Sequence, residues 1–174
     1  MGAAGVRRRA GAVMVLVLGV ALAAGCGGGN GEEEQAAEAL PPYPSELSAA
    51  STPSEVAQVL IRGLDAGDGE TLMGLVAVKS EVEAIDGIYR DHGREHETPP
   101  EQAAAMVASG WRASYVFYRS GGTRVVEERV RGETAEMRAE GSNATTGKRR
   151  LLTVGMTLED GVWKVQAGLQ SREP

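Results

Sequence analysis

Apolar positions along this chain follow two periods. Between residues 52 and 110 they recur every three or four places, and between 112 and 167 they mostly alternate. Val56, Val59, Leu60 and Leu64 form a first helical stripe. Thr52-Pro53-Ser54-Glu55 opens it: the threonine can accept from an orphan amide, the glutamate can reach back, and proline takes the first helical position. Asp65-Ala66-Gly67-Asp68-Gly69 breaks the run. Leu72, Leu75 and Val76 make a second stripe, and Val82, Ile85, Ile88 and Tyr89 a third. These two read as one bent helix or as two, with Ser80 capping the latter. Thr98-Pro99-Pro100-Glu101 repeats the capping pattern and predicts a helix through Ala105, Met106 and Val107, stopping near Gly110.

Strands are predicted next. Residues 112–119 (RASYVFYR) are rich in β-branched and aromatic types, and Gly121-Gly122 follows as a turn. Residues 124–131 and 133–140 form a hairpin candidate about Gly132. Ala135, Met137 and Ala139 alternate there with polar residues, so one face is buried and the other wet. Residues 141–147 read as a loop. Residues 148–158 carry Leu152, Val154, Met156 and Leu158 in phase, Glu159-Asp160-Gly161 turns, and residues 162–167 close the sheet with Trp163 and Val165 in phase. Helices followed by a run of antiparallel strands is an α+β pattern, with the helices covering the sheet's apolar face.

The N-terminus follows neither period. Arg7-Arg8-Arg9 precedes fifteen apolar and small residues, 10–24. A bilayer-spanning helix needs about 20, so the run fits the hydrophobic region of a signal peptide instead. It ends Leu22-Ala23-Ala24-Gly25-Cys26, which resembles the lipobox of bacterial lipoproteins. That family requires a small residue before an invariant cysteine, supplied here by Gly25; Ala23 stands where leucine is favoured. The resemblance implies cleavage between Gly25 and Cys26, a diacylglycerol on the Cys26 thiol, and acylation of its amine. One acyl chain binds a membrane only marginally, whereas several hold it stably. The implied location is the cell envelope. It is the outer membrane in a Gram-negative host, since residue 27 is not aspartate, and the outer face of the plasma membrane in a Gram-positive one.

Residues 26–50 read as a lipidated cysteine followed by a flexible Gly, Glu and Pro linker. Residues 51–170 read as one domain and 171–174 as a tail. Composition narrows the function. Charged residues are 24% and apolar residues 42%, a globular balance. The single cysteine excludes a disulfide framework or a zinc site of several thiolates. Losing Arg7–Arg9 with the leader takes 18 basic residues to 15 against 24 acidic ones, a net charge of −9. No nucleic-acid partner is expected of such a chain.

The order of elements resembles the NTF2-like superfamily, a curved antiparallel sheet with helices packed into a cone. The likeness is carried by residues 52–66 with the turn 67–69, by Gly132-Glu133-Thr134-Ala135-Glu136-Met137, and by Leu158-Glu159-Asp160-Gly161-Val162-Trp163-Lys164-Val165. It implies a cavity between sheet and helices; Trp111, Tyr115, Phe117, Met137, Met156 and Trp163, the bulky apolar residues, are candidates to line it or to fill it as an ordinary core. It also implies a small apolar ligand or a homodimer formed through the sheet. Enzymatic members place an Asp/His or Asp/Tyr pair in the cavity, and no such pair is matched in this sequence. The expectation is a non-catalytic binding or interaction module without a cofactor. The alternatives are an envelope enzyme of the isomerase or cyclase kind and a structural dimerisation module.

Other candidate chemistry is weaker. His92 and His96 stand four apart and would share a helix face with Asp91 or Glu95 as metal ligands, but Gly93 and Pro99-Pro100 argue for a loop. Asp65 and Asp68 could pair as acid and base, yet Asp68 fits an N-cap better. Lys148-Arg149-Arg150 is the only basic cluster after the leader, and it reads as a strand start paired with nearby acids.

Overall fold

The computed structural model describes residues 40–173. Cys26, the leader and residues 27–39 of the linker lie outside that span. Among the described residues four helices precede five strands: α1 (Pro53–Ala66), α2 (Gly69–Leu75), α3 (Val78–Asp91), α4 (Pro100–Tyr115), β1 (Arg124–Arg131), β2 (Thr134–Ser142), β3 (Arg149–Glu159), β4 (Val162–Val165) and β5 (Gln170–Arg172). The protein is α+β, as the periodicity requires.

The first helix forms for the reasons visible in its sequence. The Glu55 amide donates to Thr52 Oγ1 at 3.3 Å, and the Thr52 amide donates to Glu55 Oε2 at 2.7 Å. Gly67 ends α1 at φ +68°, a left-handed geometry that glycine adopts without a Cβ penalty. Asp68 then caps α2, accepting from the Thr71 amide at 3.1 Å.

The second and third stripes belong to separate helices. The break falls at Val76 and Ala77, where the Ala77 amide donates to the Val165 carbonyl at 2.9 Å. Ser80 does not cap α3. Glu159, from the end of β3, accepts from the Ser80 amide at 3.1 Å and its hydroxyl at 2.7 Å. Nor does Thr98 cap α4: its amide and hydroxyl donate to Asp86 Oδ1 of α3 at 3.0 and 2.6 Å.

The largest departure from the sequence reading is at residues 112–119, where no strand forms. Helix α4 runs through Gly110 to Tyr115. Val107, Trp111 and Tyr115 are spaced by four and all buried, so the helical period continues across the glycine. One exposed helical glycine costs only about 1 kcal/mol. Tyr118 then makes a single bridge to Asn143, and β1 starts at Arg124.

The sheet runs β1-β2-β3-β4, all antiparallel. β5 lies in residues 170–172, partly in the stretch read as a tail, and pairs with Leu151–Thr153 of β3. Along β2 and β3 the inward residues pair as Ala135 with Met156, Met137 with Val154, and Ala139 with Leu152. These pack against Val56 and Leu60 of α1 and Trp111 of α4. Met137, Leu152, Val154, Met156 and Trp111 are fully buried. The β3–β4 turn uses Asp160 and Gly161, both at positive φ.

Residues 41–47, within the span read as linker, lie against the domain. Tyr43 and Leu47 pack on the core, and the Tyr43 hydroxyl donates to the Trp163 carbonyl at 2.9 Å. A Cβ on Gly74 would stand 2.5 Å from the Pro42 carbonyl oxygen, so this strap requires glycine there.

Candidate functional site

The six candidate lining residues do not gather around one cavity. Trp111, Met137 and Met156 are fully buried core side chains, and Tyr115 is nearly so. Trp111 also donates its indole N–H to the Ala167 carbonyl at 3.0 Å, at the break between β4 and β5. Trp163 is half-buried on the edge of the core. Phe117 is 55% exposed, because residues 115–118 turn rather than extend. The inward partner of Tyr115 is Tyr118, whose ring stacks on it at 4.8 Å and 5°.

Among the described residues an open groove of about 820 Å³ lies instead at the surface. Its floor is Leu40, Pro41, Met73 and Ala105, brought together by the strap, α2 and α4. Glu70 and Glu101 flank it, and both stand in the first turn of a helix. That combination suits an apolar body with a cationic end. The strap that forms one wall is held by Lys164 of β4. Its ammonium donates to the Gly74 carbonyl at 2.6 Å and lies 4.4 Å from the Tyr43 ring centroid. Desolvation lowers the Lys164 pKa, and burial pushes the Tyr43 phenol up to about 12. No apolar periodicity marks residues 40–44, so the sequence carried no signal for this wall.

An Asp–Tyr pair is also present. The Tyr115 hydroxyl lies 3.0 Å from Asp65 Oδ1 and 2.8 Å from Thr123 Oγ1, and the Gly121 amide donates to Asp65 Oδ2 at 3.0 Å. Burial is the main cause raising the Tyr115 pKa, so the phenol holds its proton more firmly than in water. Asp65 thus ties the end of α1 to the end of α4 and the loop after it. Asp68 is turned to its capping role.

His92 lies just past α3, with Nδ1 2.7 Å from the Ile88 carbonyl, and the His96 ring lies against Tyr89 at 4.1 Å with the planes tilted by 36°. The helix ends before the two histidines could share a face. Among the described residues no three His, Cys, Asp or Glu side chains converge as metal ligands would. None of the described helices is long and apolar enough to cross a membrane.

The outer sheet face is charged. Glu127 pairs with Arg129 at 2.6 Å and with Arg138 at 3.1 Å, Arg138 with Glu136 at 3.5 Å, and Arg149 with Glu140 at 2.5 Å. Exposed large apolar side chains include Val126 and Val130 on the edge strand β1, Ile88 on α3 and Met106 on α4.

What the elements define is an α+β domain with its helices on the inner face of an antiparallel sheet. No protein-family model matches the chain, and no curated protein matches it. A solved structure of a Campylobacter jejuni protein assigned as an NTF2-like transpeptidase shares 14% identity, covers 67% of this chain and 98% of its own, and superposes with a TM-score of 0.45. A likeness that loose carries no argument; the α+β class rests on the elements themselves.

Proposed function

We propose that this chain is an exported lipoprotein, acylated on Cys26 and tethered at the cell envelope, whose NTF2-like domain is a non-catalytic binding module. The signal-like segment ending in Gly25-Cys26 supports the tether. The order of helices before an antiparallel sheet supports the NTF2-like assignment. The groove carries the binding reading: its volume is that of a small-molecule site, and its walls are formed before any ligand arrives. The ligand is a small apolar molecule with a cationic end, set between Glu70 and Glu101.

Native mass spectrometry of the full chain, released gently from its host membrane, tests this. The expected result is a co-purifying small mass that disappears when Ala105→Trp fills the groove. A bare monomer would sink the ligand reading, and a bare mass of twice the monomer would replace it with assembly between copies. Fractionation tests the tether separately. Cys26→Ser is expected to leave the membrane, and a variant that stays fully bound overturns the anchor.

One observation favours an enzyme of the isomerase or cyclase kind, namely the Asp65–Tyr115 hydrogen bond. Under that reading the carboxylate and phenol exchange a proton with substrate. Both groups are already engaged by Thr123 and Gly121, which favours the binding module.

A further inference from the structure

Arg150 stands apart from the other two members of its basic cluster. Arg149 pairs closely with Glu140, and Lys148 reaches Glu173 at 3.9 Å. Arg150 pairs with no acidic side chain among the described residues. Its guanidinium lies 5.7 Å from the ring centroids of both Phe117 and Tyr118. Its Nε and Nη2 donate to Ser171 Oγ at 3.1 and 2.8 Å, and the Tyr118 hydroxyl lies 3.0 Å from the same oxygen.

The donor count does not balance. A hydroxyl oxygen has two lone pairs and one proton of its own. Arg150 Nε and Nη2 and the Tyr118 hydroxyl all donate to Ser171 Oγ, three donors on two lone pairs, so the trio holds one donor more than that oxygen can accept. Arg150 Nη1 makes no hydrogen bond to the described residues either. A half-buried cation and surplus donors thus converge where no carboxylate answers them. A planar oxyanion would accept from Nη1 and from the second Nη2 proton, the end of the guanidinium that Ser171 leaves open. Beside it, Phe117 is 55% exposed and Val116 67% exposed, an apolar shelf next to the charge.

We propose that Arg150, with Tyr118 and Ser171, is a binding site for small carboxylates that carry an apolar body, which rests on Phe117. The site is independent of the groove. It differs from it in charge preference and shares none of its residues.

The test is a titration of the full-length chain with benzoate, followed through the arginine Nε–H signals in nitrogen–proton NMR spectra. Benzamide, the neutral isostere, and inorganic phosphate are run alongside. The expected result is a saturable shift of the Arg150 signal by benzoate, with a dissociation constant on the order of millimolar. Benzamide and phosphate are expected to bind at least about tenfold more weakly. Arg150→Gln, followed at the Ser171 amide, should abolish saturation, and Arg149→Gln should leave it intact. Phe117→Ala removes an exposed ring, so it keeps the fold in place should Arg150→Gln disturb it; it should weaken benzoate severalfold. Equal responses to benzoate and benzamide, equal responses to benzoate and phosphate, an Arg149→Gln loss as large as that of Arg150→Gln, or no saturable shift would each overturn the proposal.

Discussion

At the scale of single residues, the half-buried polar groups are ties between distant parts of the chain. Tyr43 and Lys164 fasten the strap to β4 and α2 through one phenol bond, one ammonium bond and a cation–aromatic contact. Tyr43→Phe removes the bond to Trp163 and should lower stability by about 1 kcal/mol in denaturant unfolding. The pH response has a definite sign. A tyrosine whose folded pKa is raised from 10.0 to about 12 adds stability below pH 10 and loses it as pH climbs through that window. Lys164, lowered from 10.5 by desolvation, acts oppositely: stability rises between its folded value and 10.5. Thermal melts from pH 9 to 12 should therefore show a shallower alkaline fall in Tyr43→Phe and a steeper one in Lys164→Met.

At the scale of elements, helix ends show two kinds of control. The cap of α1 is local, since Thr52 and Glu55 are three residues apart and answer each other's amides. Thr52→Ala should cost about 1 kcal/mol. The N-terminus of α3 is held from 79 residues away by Glu159, while Lys79 meets Asp160 at 2.6 Å. Glu159→Ala should speed amide hydrogen exchange in the first turn of α3 and leave α1 unchanged; equal acceleration in both would refute this capping role. The apolar stripe of α3 behaves differently from those of α1 and α4. Val82 and Ile85 are half-buried and Ile88 is 58% exposed, because α1 and α4 already cover the sheet. Periodicity announced the stripe correctly but could not say that its place on the sheet was taken.

At the scale of the whole molecule, the core is one layer of side chains between the sheet and α1 and α4. Met137 sits at its centre with 0% exposure. Met137→Ala should destabilise by about 2–5 kcal/mol, through lost transfer energy and the cavity left behind, read from urea unfolding midpoints. A change below about 1 kcal/mol would mean the interior collapses around the gap. Charge is arranged at this scale too. The outer sheet face carries a ladder of opposite pairs, which blunts it against apolar self-association.

By itself the sequence determined the α+β class, the caps of α1 and α2, the hairpin at Gly132 and the inward set on β2 and β3. Each depends on periods or caps within a few residues, and such local physics is readable in one dimension. Residues 112–119 misled because aromatic and β-branched residues suit either a strand or a buried helix end; only the fit of Trp111 and Tyr115 against the sheet settles which. The groove, the strap, the Glu159 cap and the Arg150 cluster belong to the tertiary structure alone. Their partners lie from 21 to 120 residues apart, and no local pattern records which surfaces the packing brings together.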